Sequence, residues 1–300
     1  MKIALCFIIS YDHILNKEDI WKKWIAANND IINVYFYYKD LNKIKSQWIL
    51  NHALPDNFIE KTDYFHIIPA YTNLILYAKQ HDISNEWFCF LTDSCCPIIS
   101  PSKFRYLFYN YFHQSIFNWK PAWWNVKLQP RANLYYLKSD YRLANDPYFI
   151  LCKKDTENFI KFKNIHKNVF RLVSNGDVAN ESIFAVALKY MNQLDTVIKQ
   201  PSHLMDWTRM MSPTSPYLFQ KQNQNDITFI EQNLINNKFC IFIRKIHPDY
   251  PDNILNYYIY QYNKKNEAFL FIFDIRTFYL FLFLFLFLYL TFPSISTLYT

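Results

Sequence analysis

Glycine is almost absent from this 300-residue sequence, which contains only Gly176. The dinucleotide fingerprint G-x-G-x-x-G, the phosphate-binding loop G-x-x-x-x-G-K-[ST] and the nucleophile elbow G-x-S-x-G each require at least two glycines. The sequence therefore excludes these three kinds of site. Any bound nucleotide must be held by side chains and by ordinary backbone.

Metal-ligand patterns are missing as well. The six cysteines and eight histidines show none of the paired spacings that bind zinc. Cys95 and Cys96 are adjacent and the other cysteines lie in apolar runs, so we expect buried thiols in a reducing compartment. We expect no metal site built on histidine.

The composition indicates a folded protein with an anionic partner. Hydrophobic residues make up 51% of the chain and aromatic residues 20%, which is ample to bury the core of one large domain or two small ones. The net charge is +7, but the 32 basic residues are spread along the chain rather than gathered in one tract. Because a phosphate-bearing ligand needs only two or three well-placed cations, we expect such a ligand and no nucleic acid.

Apolar runs alternate with helical periodicities over the first 250 residues. Short, continuous apolar runs predict fully buried strands at residues 3–9, 32–38, 87–91, 147–152 and 239–243. Apolar residues at helical spacing predict helices at residues 20–27, 73–79, 102–111, 154–162 and 228–235. This alternation predicts an α/β domain that ends near residue 250 and has a mostly parallel central sheet covered by helices.

Polar residues follow three of the predicted strands. Asp40 follows the second strand, Asp93 and Ser94 follow the third, and Arg244 and Lys245 follow the last. Open α/β sheets bind ligands at the carboxyl ends of their strands, so all five are candidates for nucleotide, sugar or phosphate binding. The alternatives are that Asp93 and Ser94 only cap a turn, that Asp40 is an ordinary strand-end aspartate, and that the two basic residues form a solvated strand end.

The segment around Gly176 predicts an apolar helix that carries one carboxylate, Glu181, in its first turns. Asp177 is the expected N-cap, behind a turn at Gly176. A carboxylate near a helix N-terminus tends to stay ionised and can then serve as a general base. The alternative is that Glu181 only complements the helix dipole, and spacing alone favours that simpler interpretation.

Tryptophan occurs in two predicted loops. Trp123 and Trp124 end a segment interrupted by proline at residues 119–124, where exposed indoles either stack on a sugar ring or form a lid or core. Asp206 and Trp207 lie in a second loop, where they either contact substrate or only hold the loop that frames a site. We favour the framing role for the second pair and leave both interpretations open for the first.

The end of the chain differs in composition from the rest. Residues 277–300 contain no charged residue, and residues 278–290 are an alternation of Phe, Leu and Tyr. A membrane anchor, a translated simple-sequence repeat and an edge strand all fit this apolar tail, because a span of about 20 apolar residues crosses a bilayer. Residues 251–276 are then a connecting segment.

Four short segments occur in the same order as in a known family. They are Phe-Leu-Thr-Asp-Ser-Cys-Cys-Pro-Ile at 90–98, Ala-Asn-Glu-Ser-Ile-Phe at 179–184, Met-Asp-Trp-Thr at 205–208 and Phe-Ile-Arg-Lys-Ile at 242–246, after Ile-Ile-Pro-Ala-Tyr at 67–71. With the apolar strand that begins the chain, they resemble the core-2/I-branching family of glycosyltransferases over roughly residues 1–250. No one segment is specific by itself, and the resemblance rests on their order.

The resemblance implies a GT-A-like nucleotide-sugar-binding fold and a reaction. Such enzymes transfer N-acetylglucosamine, or in some members xylose, from a UDP-sugar to a hydroxyl of a glycan or glycoprotein, with inversion at the anomeric carbon. Their catalytic base falls on Glu181 and their phosphate-binding lysine on Lys245. They use basic side chains instead of the divalent metal held by Asp-x-Asp in most GT-A enzymes, and this chain has no Asp-x-Asp. The resemblance thus implies no metal or other cofactor, with the UDP-sugar as a substrate.

The chain departs from the family pattern at several positions. Asn180 replaces the aspartate before the catalytic glutamate, residues 143–148 replace a segment of the acceptor side, and a second phosphate-binding arginine has only approximate counterparts in Arg209 and Lys221. These differences leave open an inactive relative that acts as a sugar- or nucleotide-binding structural protein. Because the first strand begins the chain, we expect a cytoplasmic enzyme like those of large DNA viruses or bacteria, with membrane association through the tail left open.

Overall fold

The strands form three sheets. The computed structural model describes residues 1–9, 12–63, 65–212 and 214–262, so the predicted tail at 277–300 lies outside the described residues. The described strands are β1 (Lys2–Ile8), β2 (Ile32–Tyr37), β3 (Asn85–Thr92), β4 (Cys96–Pro97), β5 (Trp119–Pro121), β6 (Leu143–Asn145), β7 (Ile150–Cys152), β8 (His203–Met205) and β9 (Phe242–Arg244). The predicted apolar runs provide β1, β2, β3, β7 and β9.

Helices connect and cover these strands, which makes the fold mixed α/β, as predicted. Short 3₁₀ turns at Arg131–Tyr136 and Ala179–Glu181 carry residues discussed below. Across the described ranges, every helix is too short or too polar to span a lipid bilayer. The α-helices are α1 (Glu18–Ala26), α2 (Gln47–Asn51), α3 (Ile68–His81), α4 (Pro101–Tyr111), α5 (Lys153–Ile165), α6 (Lys167–Ser174), α7 (Ile183–Tyr190), α8 (Gln224–Asn236) and α9 (Asp252–Tyr257).

The central sheet has the strand order β2-β1-β3-β7. β1 pairs in parallel with both β2 and β3, whereas β7 pairs antiparallel with β3 at the edge of the sheet. The sheet is therefore mostly parallel, as predicted. Its strands read as continuous apolar runs because side chains on both faces are covered.

Alternate side chains of β1 enter two separate hydrophobic cores. Leu5 and Phe7 lie in the core that includes α1 and α4, whereas Cys6 lies in the core that includes α3, α5 and α7. The Trp21 ring of α1 meets the Phe7 ring edge-on, with 4.9 Å between centroids. The Trp21 indole N–H also donates a 3.0 Å hydrogen bond to the carbonyl of Cys95, so α1 is tied to the segment that follows β3.

A smaller sheet, in the order β4-β9-β8, brings β9 beside the end of β3. The Ile246 N–H donates to the Ser94 carbonyl at 2.9 Å. Asn16 donates from its side chain to the Ile246 carbonyl and from its backbone to the Asp93 carbonyl, both at 2.8 Å. These three hydrogen bonds hold together the two strand ends at which the sequence places candidate ligand-binding residues.

Some boundaries differ from the predicted ones. α3 begins at Ile68, well before the predicted start, because Pro69 fits the first turn of a helix. The periodicity predicts no helix at α6, of which only Val173 is fully buried. Residues 252–262 bury Leu255 and Ile259 in the core that contains Phe7, so the packed region continues past the predicted domain end near residue 250.

The loop after β8 is built on a buried carboxylate. Asp206 has no exposed side-chain surface and accepts hydrogen bonds from the Thr208 backbone (2.8 Å), the Thr208 hydroxyl (2.7 Å) and the Arg209 guanidinium (2.6 Å). The same guanidinium donates to Asp226 of α8 at 2.8 Å. The Asp-Trp-Thr segment is therefore a turn that fixes the loop on α8.

Replacing Asp206 with alanine should lower the free energy of unfolding by about 2–4 kcal/mol, because Arg209 would lose one of its two carboxylates and the turn would lose its hydrogen bonds. Burial opposes ionisation of Asp206, but the hydrogen bonds from Thr208 and Arg209 outweigh it and lower its pKa. The stabilisation should therefore be complete above about pH 4 and disappear as the pH falls through the lower pKa of the folded state.

Urea unfolding followed by tryptophan fluorescence measures this difference, with Asp195→Ala as the matched control. Asp195 is an exposed carboxylate in a short 3₁₀ turn, and its removal should change stability by less than about 0.5 kcal/mol. Equal stabilities of the two variants would show that the buried turn contributes nothing.

Candidate functional site

Arg244 occupies the centre of the candidate site. It is the last residue of β9 rather than a residue after the strand, and its Nε donates to the Thr92 hydroxyl at the end of β3, at 3.3 Å. The guanidinium carbon lies 4.1 Å from the centroid of the Tyr148 ring. An aromatic face and a strand end thus hold this cation in a fixed orientation, which favours recognition of an anion.

Lys245 follows Arg244 in the sequence, and Asp93 interacts with both cations from the position just after β3. Burial raises the pKa of Asp93, and the nearby Arg244 opposes that rise. Lys245 is half-buried, and burial together with the charge of Arg244 lowers its pKa. Arg244 and Lys245 thus place two adjacent cations beside the carboxylate of Asp93.

Glu181 lies in the 3₁₀ turn Ala179–Glu181, before α7 begins at Ile183. Our prediction that it sits in the first turns of the helix, with Asp177 as the N-cap, is therefore wrong. The left-handed backbone of Val178 (φ 56°) and the non-helical backbone of Ser182 interrupt the helix on either side of the turn.

Asn145, at the end of β6, holds the Glu181 turn in place. Its side-chain NH2 donates to the Asn180 carbonyl at 2.9 Å, and its side-chain oxygen accepts from the backbone N–H of Ala185 at 3.2 Å. One buried amide thereby joins the turn to the first residues of α7. The position of Glu181 is fixed by this backbone support rather than by a helix N-terminus.

The surroundings of Glu181 make it a stronger base than an exposed glutamate. Burial raises its pKa, Arg131 and Arg244 oppose the rise, and Asp146 adds to it. Burial rather than a helix dipole is thus the main influence, contrary to the expectation from the sequence. A carboxylate with a raised pKa accepts a proton more readily, which suits general base catalysis provided that it is ionised.

Arg131 is a functional candidate that the sequence analysis does not identify. Its Nη1 lies 3.7 Å from Glu181 Oε2, and its guanidinium carbon lies 5.4 Å from the centroid of the Trp124 ring. Trp124 in turn meets Trp123 edge-on at 4.9 Å, and the Trp123 side chain is 60% exposed. A pair of indoles therefore lies next to the cation that contacts Glu181.

The single glycine lies where the Arg131 segment packs against the Glu181 segment. A Cβ atom on Gly176 would be 2.6 Å from backbone atoms of Ala132 and Asn133. Both of these residues have left-handed backbone, with φ of 51° and 53°. This unusual turn leaves no space for a side chain at position 176, so the one glycine is used at a close backbone contact.

The structure brings together some of the predicted site residues and gives others different partners. Asp93, Ser94, Glu181, Arg244 and Lys245 lie around the joined ends of β3 and β9 and the turn before α7.

Asp40 instead accepts from the backbone N–H of Asn42 at 3.1 Å and caps a short turn. Arg209 is held by Asp206 and Asp226, so its guanidinium already has two carboxylate partners. Trp207 is 43% exposed on the loop that these residues fix.

The cysteines of the chain lie in its interior. All six are free and buried, which confirms the prediction of buried thiols. Within the described residues, no three or more His, Cys, Asp or Glu side chains are grouped so that they could hold a metal ion.

Comparison with known proteins identifies no relative, since neither a protein-family model nor a curated protein matches the chain. The resemblance to the core-2/I-branching family therefore depends on the order of the short segments alone.

Replacing Gly176 with alanine should lower the free energy of unfolding by roughly 1–3 kcal/mol, because the new methyl group can fit only if the backbone at residues 132–133 moves. Thermal or urea unfolding measures the loss. Asn175→Ala is the matched control, since Asn175 is an exposed neighbour with no such contact. If both substitutions had the same small effect, the close contact would not constrain the fold.

Proposed function

We propose that this chain is an inverting, metal-independent glycosyltransferase with a GT-A-like fold. It would move N-acetylglucosamine or xylose from a UDP-sugar to a hydroxyl of a glycan or glycoprotein. One observation carries the proposal: a half-buried carboxylate with a raised pKa, Glu181, interacts electrostatically with Arg244, which ends a strand and is followed by a second cation, Lys245. A base and a phosphate-binding pair are the two components that this reaction needs.

On the donor side, the diphosphate is assigned to Arg244 and Lys245. The departing UDP develops negative charge on its terminal phosphate, and fixed cations in a poorly solvated site stabilise that charge. Most GT-A enzymes stabilise this charge with a divalent metal, and our proposal assigns the same task to side chains. Asp93 and Ser94 are assigned to the sugar or the nucleotide, because they lie at the adjacent end of β3.

On the acceptor side, Glu181 takes the proton of the acceptor hydroxyl. The acceptor oxygen then bonds to the anomeric carbon from the face opposite the leaving group, and the bond from that carbon to the diphosphate oxygen breaks. The electrons of the broken bond remain on the diphosphate oxygen, and the positive charges of Lys245 and Arg244 stabilise the negative charge that forms there. Trp123 and Trp124 are assigned to the acceptor, since exposed indoles provide flat apolar faces for sugar rings.

Asn180 favours a second candidate, a relative that binds a sugar nucleotide without turning it over. The side chain interacts with the Tyr71 hydroxyl, and the carbonyl is engaged by Asn145. The position therefore serves a structural purpose here. Binding of UDP-sugars with no release of UDP would support this candidate.

The first experiment measures UDP release from a panel of UDP-sugars, with candidate glycan acceptors and with EDTA present. We expect turnover that survives chelation and falls by at least about 100-fold in Glu181→Gln, because an amide cannot accept the proton. Glu157→Gln is the control, since Glu157 pairs with Lys79 on the outer helices α5 and α3. Full activity of Glu181→Gln, or loss of activity with EDTA, would contradict the proposal.

Removing the charge of Lys245 should weaken UDP binding by roughly 10- to 100-fold, the value of one charge-assisted hydrogen bond to phosphate. Calorimetric titration of UDP into Lys245→Ala and Lys245→Arg measures the effect, and the arginine variant should retain most of the affinity. Lys238→Ala, which removes an exposed lysine beside Tyr111, is the control. Unchanged UDP affinity in Lys245→Ala would rule out the phosphate role.

A further inference from the structure

We propose that Arg131 is a positioning residue for Glu181: its guanidinium orients the carboxylate and keeps it ionised for proton transfer. The inference rests on the proposed function, in which Glu181 is the base. Arg131 itself needs no contact with the reacting atoms. Its effect on the reaction would pass entirely through the glutamate.

The first argument is the geometry of the pair. Arg131 Nη1 lies 3.7 Å from Glu181 Oε2, and the two side chains are only 30% and 27% exposed. Trp124 lies near the same guanidinium, with 5.4 Å between the guanidinium carbon and the ring centroid. Partial burial reduces the screening of this ion pair by water, so the pair is stronger than one on an open surface.

The second argument is that the backbone, rather than a long side chain alone, brings the two residues together. The Ala132 N–H donates to the Asp177 carbonyl at 2.8 Å, and the Asn133 side chain donates to the Leu172 carbonyl at 2.8 Å. Gly176 permits direct contact between the same two stretches of chain. The turn that carries Arg131 is therefore attached to the segment that leads into the Glu181 turn.

The third argument comes from the other groups that face Glu181. Asp146, from the loop between β6 and β7, opposes its negative charge, and Glu181 in turn helps to raise the pKa of Tyr148 in the same loop. Arg131, from the 3₁₀ turn at 131–136, and Arg244, from β9, favour that charge, with Arg131 the stronger of the two. In the proposed function Arg244 binds the donor diphosphate, which offsets its charge. Arg131 is then the cation that still supports an ionised Glu181 when donor is bound.

The test compares the pH dependence of kcat/KM for UDP release in the full chain and in Arg131→Gln. Turnover by a base falls as the pH drops through the pKa of that base. Without Arg131 this acid limb should move to higher pH. On the acid side kcat/KM should fall by about tenfold or more, and on the alkaline plateau it should fall by less. Arg131→Lys should give an intermediate limb, because it keeps the charge but loses the planar guanidinium.

Arg142→Gln is the matched control. Arg142 lies near the same turn, donates to the carbonyls of Leu137 and Tyr135 at 3.0 and 3.1 Å, and stacks on the Tyr135 ring. Its removal disturbs the local structure without removing the partner of Glu181. We expect the acid limb of Arg142→Gln to match that of the unmodified chain. If Arg142→Gln and Arg131→Gln shifted the limb equally, Arg131 would have only a structural role.

A second readout does not depend on activity. The titration of the Glu181 carboxyl carbon can be followed by NMR in protein labelled at glutamate, with the signal identified by its absence in Glu181→Gln. We expect the pKa of Glu181 to be higher in Arg131→Gln than in the unmodified chain. If the glutamine variant does not fold, Arg131→Lys is compared with the unmodified chain instead, and its Glu181 pKa should again be higher. Identical Glu181 titrations would overturn the inference and leave the proposed function intact. Full activity of Glu181→Gln would instead overturn the proposed function, and the pair of Arg131 and Glu181 would then have no role in catalysis.

Discussion

The burial of β1 on both faces is the constraint on which the rest of the structure depends. Its side chains enter two cores alternately, and its backbone pairs with β2 on one side and β3 on the other. Helices must therefore cover both faces, and the carboxyl ends of the parallel strands must meet at one edge. The candidate site follows from this arrangement, because β9 is joined to that same edge through Asn16 and Ser94.

A chain with one glycine could bind an anion only in a different way from proteins with glycine-rich loops. Those loops bring backbone N–H groups close to phosphate, which requires residues without side chains. Here the positive charges are on Arg244 and Lys245. Arg244 ends β9 and is held by a threonine hydroxyl and an aromatic ring. Side chains fixed in this way lose little conformational entropy when an anion binds, so they can replace a loop of N–H groups.

The sequence predicts the sheet well and the site only in part, for physical reasons. Largely apolar runs mark β1, β2 and β3 because burial on both faces leaves few polar positions in them. Glu181 and Arg244 can be found from short segments and their order. Arg131 cannot, because its turn has no periodicity and its contact with Glu181 depends on the left-handed residues 132–133 meeting Gly176. The same limitation explains the error at α7, since a left-handed Val178 is not expected inside a helical pattern.

The charges around Glu181 also give a physical account of Asn180. Three carboxylates and three cations interact in this region: Asp93, Asp146 and Glu181 with Arg131, Arg244 and Lys245. Asp146 already disfavours the ionised form of Glu181. An aspartate at position 180, directly beside Glu181 and itself buried, would add a negative charge and raise the pKa of Glu181 further. Asparagine keeps the hydrogen-bonding capacity of the position without that charge.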